Sequence, residues 1–209
     1  MLLAPRHLPR LAALVGLFTR YGLRDFARRQ GLQSLVPEEF ANEQEDSGDV
    51  RERAGAFRAR LVELGPAYVK LGQVLSTRPD LLPDAYIREL VELQDDVPPV
   101  PFAEVEATIE EELGGRLSKL FVSFDHEPLG SASLGQVHAA ELRGGRAVVV
   151  KVQRPNIVAQ LADDVDFFRE VARFLTAHTQ AGERIDFVGV IQQLERALAD
   201  ELDYRVEAR

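Results

Sequence analysis

The sequence predicts an α+β fold, with helices before and after a small three-stranded antiparallel sheet. Three observations carry this prediction. Apolar residues recur at helical spacing over residues 57–75. Residues 120–129 and 135–152 are rich in Val, Phe, Leu and Ala, which predicts one strand followed by a hairpin. Two more helical stretches follow, over about 157–178 and 186–209.

Proline and glycine mark the ends of the first helices. One helix is predicted to start near Asp49 and to end at Gly65, and Pro66 then suits the first turn of the next. Pro79 is predicted to end this second helix, and a third runs over about 83–95.

The next boundaries are also set by these two residue types. The prolines at 98, 99 and 101 enforce an extended break. A helix over about 102–113 follows and closes at Gly114 and Gly115. The turn over 143–146 contains two glycines and joins the strands of the hairpin.

Composition excludes several classes of function. The chain has 209 residues, of which 45% are hydrophobic and 28% charged, as in ordinary globular proteins. Its net charge of −9 makes it a poor general binder of nucleic acid, so no nucleic-acid partner is expected. Cysteine is absent, which excludes disulfides, thiolate metal sites and cysteine nucleophiles.

The charge is divided unevenly along the chain. Residues 1–34 carry a net charge of +5, so the remainder carries −14. Within this basic segment, apolar residues from Leu8 to Phe18 recur at helical spacing. Two interpretations stand side by side: a helix lying on an anionic membrane surface, or a helix docked on the protein's own core. The apolar run is too short to span a bilayer, and we expect no transmembrane helix in this chain.

A glycine-bearing segment, GSASLGQV, occupies residues 130–137 between the predicted strands. Glycine lets the backbone approach a ligand, and such a turn can aim N–H groups at phosphate. An ordinary hairpin turn is the alternative. A Walker A loop is disfavoured because Gln136 and Val137 stand where it needs Lys and Ser or Thr. A dinucleotide fingerprint, and with it an oxidoreductase, is disfavoured because the segment opens a strand rather than a helix.

The protein-kinase loop G-x-G-x-x-G-x-V joins two strands, and this segment departs from it only at the central glycine. The candidate nucleotide-binding residues of the segment are Gly130, Ser131, Ala132, Ser133, Gly135 and Val137. The next strand reads Val-Val-Val-Lys and ends in Lys151, where kinases place a phosphate-contacting lysine. The alternative is an edge-strand lysine at the surface.

A lysine in an apolar strand needs a matching carboxylate. The last predicted helix offers Glu201, Asp203 and Glu207. We predict Glu207 as the partner of Lys151, with Glu201 second, and we assign Lys151 and Glu207 as the catalytic pair. The alternative is that all three carboxylates are solvated.

Several motifs together resemble the UbiB (AarF/ADCK-type) atypical kinase family. Lys70-Leu71-Gly72-Gln73 matches its K-x-G-Q motif, and the flank STRPDLLP matches as well. The segment PLGSASLGQVH resembles the family's alanine-rich counterpart of the kinase glycine loop. Glu201-Leu202-Asp203 matches its E-x-D motif. The resemblance covers about residues 55–209.

This resemblance implies a kinase-like small lobe preceded by a helical extension. The expected divisions are a basic amphipathic segment over 1–34, the extension with K-x-G-Q over 35–117, and the lobe over 118–209. The resemblance implies that Lys70, Gln73, Glu201 and Asp203 regulate the nucleotide pocket. It also implies ATP with Mg²⁺ as cofactor, with no metal ligands in this chain, because the metal-binding motifs would follow residue 209.

The resemblance further implies support of ubiquinone or related isoprenoid-quinone synthesis at a membrane surface. The expected location is cytoplasmic and peripheral to the inner or plasma membrane, and the expected partners are a nucleotide, an anionic membrane surface or isoprenoid lipid, and quinone-biosynthesis proteins. The chain is expected to be the N-terminal part of a longer phosphoryl-transfer enzyme and to be inactive alone. The alternative is a non-catalytic, truncated pseudokinase-like module that binds a lipid or a protein.

Overall fold

The structure, a computed structural model, describes residues 49–93 and 98–207, together with residues 10, 11, 14, 16, 17, 20 and 21; the side chains of 206 and 207 fall outside this description. The chain divides into two compact units, one formed by Met1–Leu93 with Ala162–Ala199 and one formed by Gln94–Leu161 with Asp200–Arg209. None of the helices in the described ranges is both long enough and apolar enough to cross a bilayer.

The first unit is helical. Its helices are α1 (Val50–Leu64), α2 (Pro66–Ser76) and α3 (Asp84–Val91). The Asp49 side chain accepts a hydrogen bond from the backbone N–H of Arg51 and so caps α1. These boundaries confirm the first two predicted helices. The helix α2 ends before Pro79, and α3 is shorter than predicted.

Close packing among these three helices depends on Gly72. A Cβ at this position would lie 2.9 Å from a methyl carbon of Leu61 and 3.3 Å from one of Leu90. Phe57, which is fully buried, packs edge-on against the ring of Tyr86, with ring centroids 5.7 Å apart. The glycine of K-x-G-Q therefore permits a tight helix–helix contact.

The described residues of the basic N-terminal segment dock within the first unit. Arg10 forms an ion pair with Asp164 and lies 4.5 Å from the ring centroid of Phe167. Burial lowers the pKa of Arg10, but hydrogen bonds to Tyr68 and Asp164 outweigh it and the net pKa is raised. Leu17 is buried. For these residues the docked interpretation fits. The remaining residues of 1–34 lie outside the described part, and the membrane interpretation stays a prediction.

The second unit contains an antiparallel sheet of four strands: β1 (Phe121–Phe124), β2 (Gly130–Ser131), β3 (Gly135–Leu142) and β4 (Ala147–Gln153). β3 pairs with each of the other three. The α+β class is confirmed, and the fourth strand is the two-residue β2, which is too short to leave a periodic signal in the sequence.

One face of this sheet is covered by helix α4 (Phe102–Leu113) and the short helix α5 (Leu117–Leu120). The buried residues of this core are Val105, Ile109, Leu117, Phe121, Ala140 and Val152. The left-handed backbone of Gly114, with φ of 67°, ends α4 as predicted. Gly144 and Gly145 both have positive φ, which confirms the predicted turn between β3 and β4.

The last helices are α6 (Ile157–His178), α7 (Phe187–Leu202) and α8 (Tyr204–Glu207), with a 3₁₀ turn between α6 and α7. α6 has the predicted bounds. The predicted single helix over 186–209 is wrong, because it breaks at Asp203. This side chain accepts a hydrogen bond of 3.1 Å from the backbone N–H of Arg205, so it starts a new turn instead of continuing α7.

Candidate functional site

The face of the sheet opposite α4 carries Lys151. Strand register pairs Val137 with Lys151 and Ala139 with Val149, so these four side chains share one face. Val149 is 64% exposed although it is a large apolar residue in the middle of a strand. The core residues Ala140 and Val152 lie on the other face. The second unit therefore presents an apolar surface with one lysine on it.

The Gly130–Gly135 loop joins β2 to β3 at one end of this face. Gly130 pairs with Val137, and the backbone N–H of Ala132 donates to the carbonyl of Gly135 over 2.8 Å. Ser133 and Leu134 are buried, whereas Gly130 is exposed. The loop thus connects two paired strands, as the kinase-like interpretation requires, and it is itself a tight, hydrogen-bonded turn.

Gly135 is required by close packing of the backbone. A Cβ at this position would lie 2.6 Å from the carbonyl oxygen of Val152, and it would also meet the hydroxyl oxygen of Tyr204. A contact so short with backbone cannot be relieved by a rotamer change. By contrast, a Cβ on Gly130 would meet no heavy atom within 4 Å.

The ammonium group of Lys151 lies 4.5 Å from the ring centroid of Tyr204. Such a cation–π contact draws the ammonium towards the face of the ring. The sequence analysis assigned no role to Tyr204, which directly follows the E-x-D motif. The side chain of Glu207 lies outside the described residues, so the predicted pair of Lys151 and Glu207 stays a prediction.

The E-x-D motif spans the break between α7 and α8. Glu201 is half-buried in the last turn of α7, whereas Asp203 lies outside both helices. Arg205 donates two side-chain hydrogen bonds to Asp203, of 2.8 and 3.0 Å, and these bonds lower the pKa of that carboxyl. The side-chain amide of Gln153 donates to the carbonyl of Leu202 over 2.8 Å and so joins the end of β4 to this break.

Arg154, which the sequence analysis did not single out, contacts the loop directly. Its Nε donates to the carbonyl of Ala132 and its Nη2 to the hydroxyl oxygen of Ser131, both over 3.0 Å. The only signal in the sequence was its place between the last strand residue and Pro155.

A buried polar network lies under the start of β3. The side-chain oxygen of Gln136 accepts the backbone N–H of Val100 over 2.8 Å, which fixes the orientation of the amide. The amide nitrogen of Gln136 then donates to His138 Nε2 over 2.8 Å, and His138 Nδ1 donates to the carbonyl of Asp125 over 2.7 Å. These contacts place a ring proton on Nδ1 and leave Nε2 as the acceptor.

The other predicted regulatory residues, Lys70 and Gln73, belong to α2 in the first unit and are half-buried. The amide of Gln73 lies 3.4 Å from the carbonyl of Leu93, close to the end of α3. Near this motif, Arg78 binds Asp80 through two hydrogen bonds of 2.9 and 2.7 Å, which lower the pKa of Asp80. The regulatory role of Lys70 and Gln73 stays a prediction.

The described residues do not fit a metal centre. Within them, no group of three or more His, Asp or Glu side chains is arranged to hold an ion. Carboxylate and phosphate oxygens are the usual ligands of Mg²⁺.

Comparison with known proteins gives a family match over more than half of the chain. A family model described as "ABC1 atypical kinase-like domain" matches residues 92–209, which include the loop, Lys151 and the E-x-D motif. The chain is 42% identical over 159 residues to "Uncharacterized protein sll1770" of Synechocystis, an alignment that covers 76% of this chain and 27% of that protein.

Several relatives carry the name "Probable protein kinase UbiB". The chain is 45% identical over 156 residues to the one from Azotobacter vinelandii and 44% identical to one from Pseudomonas aeruginosa. Each alignment covers 75% of this chain and 29% of the relative, so the chain spans less than a third of the length of these proteins. A solved structure titled as a complex of Rv3197 with erythromycin from Mycobacterium tuberculosis is 31% identical, with a TM-score of 0.28, and the match covers 75% of this chain and 37% of that one.

Proposed function

This chain belongs to the ABC1 atypical kinase-like family, and from that premise we propose that its second unit binds ATP in a UbiB-type kinase or ATPase. The family match and the UbiB relatives confirm the resemblance that the K-x-G-Q, loop and E-x-D motifs indicated. One observation carries it: the Gly130–Gly135 loop and Lys151 lie at the same face of the sheet, with Val137 paired to both Gly130 and Lys151.

In this proposal the apolar part of the face receives the base and the loop receives the phosphates. Val137, Ala139 and Val149 offer a flat apolar surface of the kind that an aromatic ring covers. The lysine charge and the backbone N–H groups of a tight glycine-bearing turn favour phosphate. Tyr204 would hold the Lys151 ammonium over its ring face and so limit the positions that it samples.

Mg²⁺ would neutralise phosphate charge during phosphoryl transfer. We propose that residues 1–209 alone do not hydrolyse ATP, because the catalytic-loop and metal-binding motifs of protein kinases are not among the motifs that this chain resembles. Magnesium-dependent turnover by the purified chain would contradict this.

The wider role proposed for the parent protein is support of ubiquinone or a related isoprenoid-quinone pathway at a membrane surface. It is supported by the family resemblance and by relatives that are named UbiB. Regulation of the pocket by Lys70, Gln73, Glu201 and Asp203 is part of the same proposal.

Nucleotide affinity of Lys151→Met in the full-length protein tests the site. We expect the Kd for ATP to rise at least about tenfold, since a charged contact to phosphate contributes roughly 1.5–3 kcal/mol. Lys119→Met is the matched control, because Lys119 is an exposed lysine of the same unit on α5. Equal ATP affinity in the two variants would contradict the proposed site.

A further inference from the structure

We propose that Arg154 is the positioning residue that holds the Gly130–Gly135 loop in its phosphate-receiving shape. The inference rests on the proposed nucleotide site and adds to it a residue that lies outside the kinase-like motifs. Arg154 directly follows β4 and so lies next to the loop, since the end of β4 pairs with the start of β3.

Three contacts join Arg154 to the loop. Its backbone N–H donates to the carbonyl of Leu134, its Nε to the carbonyl of Ala132, and its Nη2 to the hydroxyl oxygen of Ser131, each over 3.0 Å. These three acceptors are spread across the turn. One residue therefore fixes the turn at both its entry and its exit.

The contacts also set the polarity of the loop. In a trans peptide the C=O and the following N–H point in opposite directions. Because the carbonyls of Ala132 and Leu134 point towards Arg154, the N–H groups of Ser133 and Gly135 point away from it. We call these contacts of Arg154 the clamp. Because the clamp binds the carbonyl oxygens, they do not face an anion, and the N–H groups can face it instead, as phosphate binding needs.

A fourth contact joins Arg154 to the proline-rich segment before α4. Its Nη2 donates to the carbonyl of Pro98 over 2.8 Å. Two residues later, the N–H of Val100 is held by Gln136 of β3 over 2.8 Å. The loop and this segment are thus tied together at two points, one on each side of Gly135.

The planar fork of arginine suits this role, and a lysine would not replace it. The donors Nε and Nη2 of one guanidinium reach three oxygens in fixed directions, whereas an ammonium is a point charge on a flexible stem. Burial lowers the pKa of Arg154, and no carboxylate of the described residues offsets this desolvation.

The test compares Arg154→Ala, Arg154→Lys and Arg143→Ala in the full-length protein. Arg143 is the matched control, because its side chain donates to the backbone carbonyls of Ser118 and Lys119 at the other end of the same sheet. The readouts are the Kd for ATP, the Kd for adenosine, and hydrogen exchange of the amides of residues 131–135. Thermal unfolding identifies any variant that fails to fold.

We expect Arg154→Ala and Arg154→Lys to weaken ATP binding about tenfold and adenosine binding less than about twofold. Amide exchange over residues 131–135 should accelerate in both variants and stay unchanged in Arg143→Ala. Recovery of ATP affinity by Arg154→Lys would show that charge alone matters and would overturn the clamp. Unchanged amide exchange in both Arg154 variants would also contradict the clamp. If Arg154→Ala fails to fold, the ATP affinity and amide exchange of Arg154→Lys give the answer.

The exchange readout separates this inference from the proposed function. A wild-type protein that binds no ATP would refute the nucleotide site. The amide exchange of the loop in the Arg154 variants would still test whether Arg154 holds the loop in place.

Discussion

Substitution of Gly135 by alanine tests how closely the loop packs on the sheet. The added Cβ would lie 2.6 Å from the carbonyl oxygen of Val152, so β3 and β4 would have to separate by several tenths of an ångström. Overpacking of this kind lowers the free energy of unfolding by roughly 1–3 kcal/mol. The lower conformational entropy of the unfolded alanine variant offsets about 0.4–1 kcal/mol of this loss. We therefore expect a net loss of about 1–2 kcal/mol in the free energy of unfolding, or about 2–8 °C in Tm.

Gly130→Ala provides the matched control in the same loop. A Cβ there would meet no heavy atom within 4 Å, and the backbone does not have positive φ. This variant should keep its Tm or gain up to a few degrees through the unfolded state. Urea unfolding and thermal unfolding, both without nucleotide, give the two values. Equal stability of the two variants would refute the close approach of β3 to Val152.

Two further predictions concern packing and buried polar groups. Gly72→Ala should lower the free energy of unfolding by roughly 1–3 kcal/mol through overpacking. Gly55→Ala in α1 is the control and should be neutral or stabilising, because its Cβ would meet only the Glu89 side chain at 3.7 Å. Urea unfolding measures both variants, and equal losses of stability would contradict the prediction. Gln136→Leu should lower the free energy of unfolding by roughly 1–3 kcal/mol, because it leaves the buried His138 Nε2 without its donor. An unchanged urea midpoint would contradict the network.

Much of the fold could be predicted from the sequence because glycine, proline and β-branched residues act locally. The turn at Gly144 and Gly145, the end of α4 at Gly114, and the bounds of α6 all follow from short-range rules. The loop was identified for the same reason, since its glycines stand between two β-rich segments.

The features that were missed depend on longer-range or competing contacts. The break at Asp203 arises from a side chain that caps α8, and the same residues are compatible with a continuous helix. The strand β2 is defined only by its pairing with β3. The side chain of Arg154 contacts oxygens that lie 22 to 56 positions away in the sequence, and no local pattern predicts such contacts.

The central claim is that a nucleotide places its phosphates against the loop and Lys151. Labelling of the full-length protein with an acyl-phosphate derivative of ATP tests it most directly, because the reagent acylates a lysine that contacts the phosphates. The lysines of this chain are Lys70, Lys119 and Lys151. We expect acylation of Lys151 that excess ATP suppresses, while any labelling of the exposed Lys119 does not respond to ATP. An unmodified Lys151, or a Lys151 that ATP does not protect, would contradict this site.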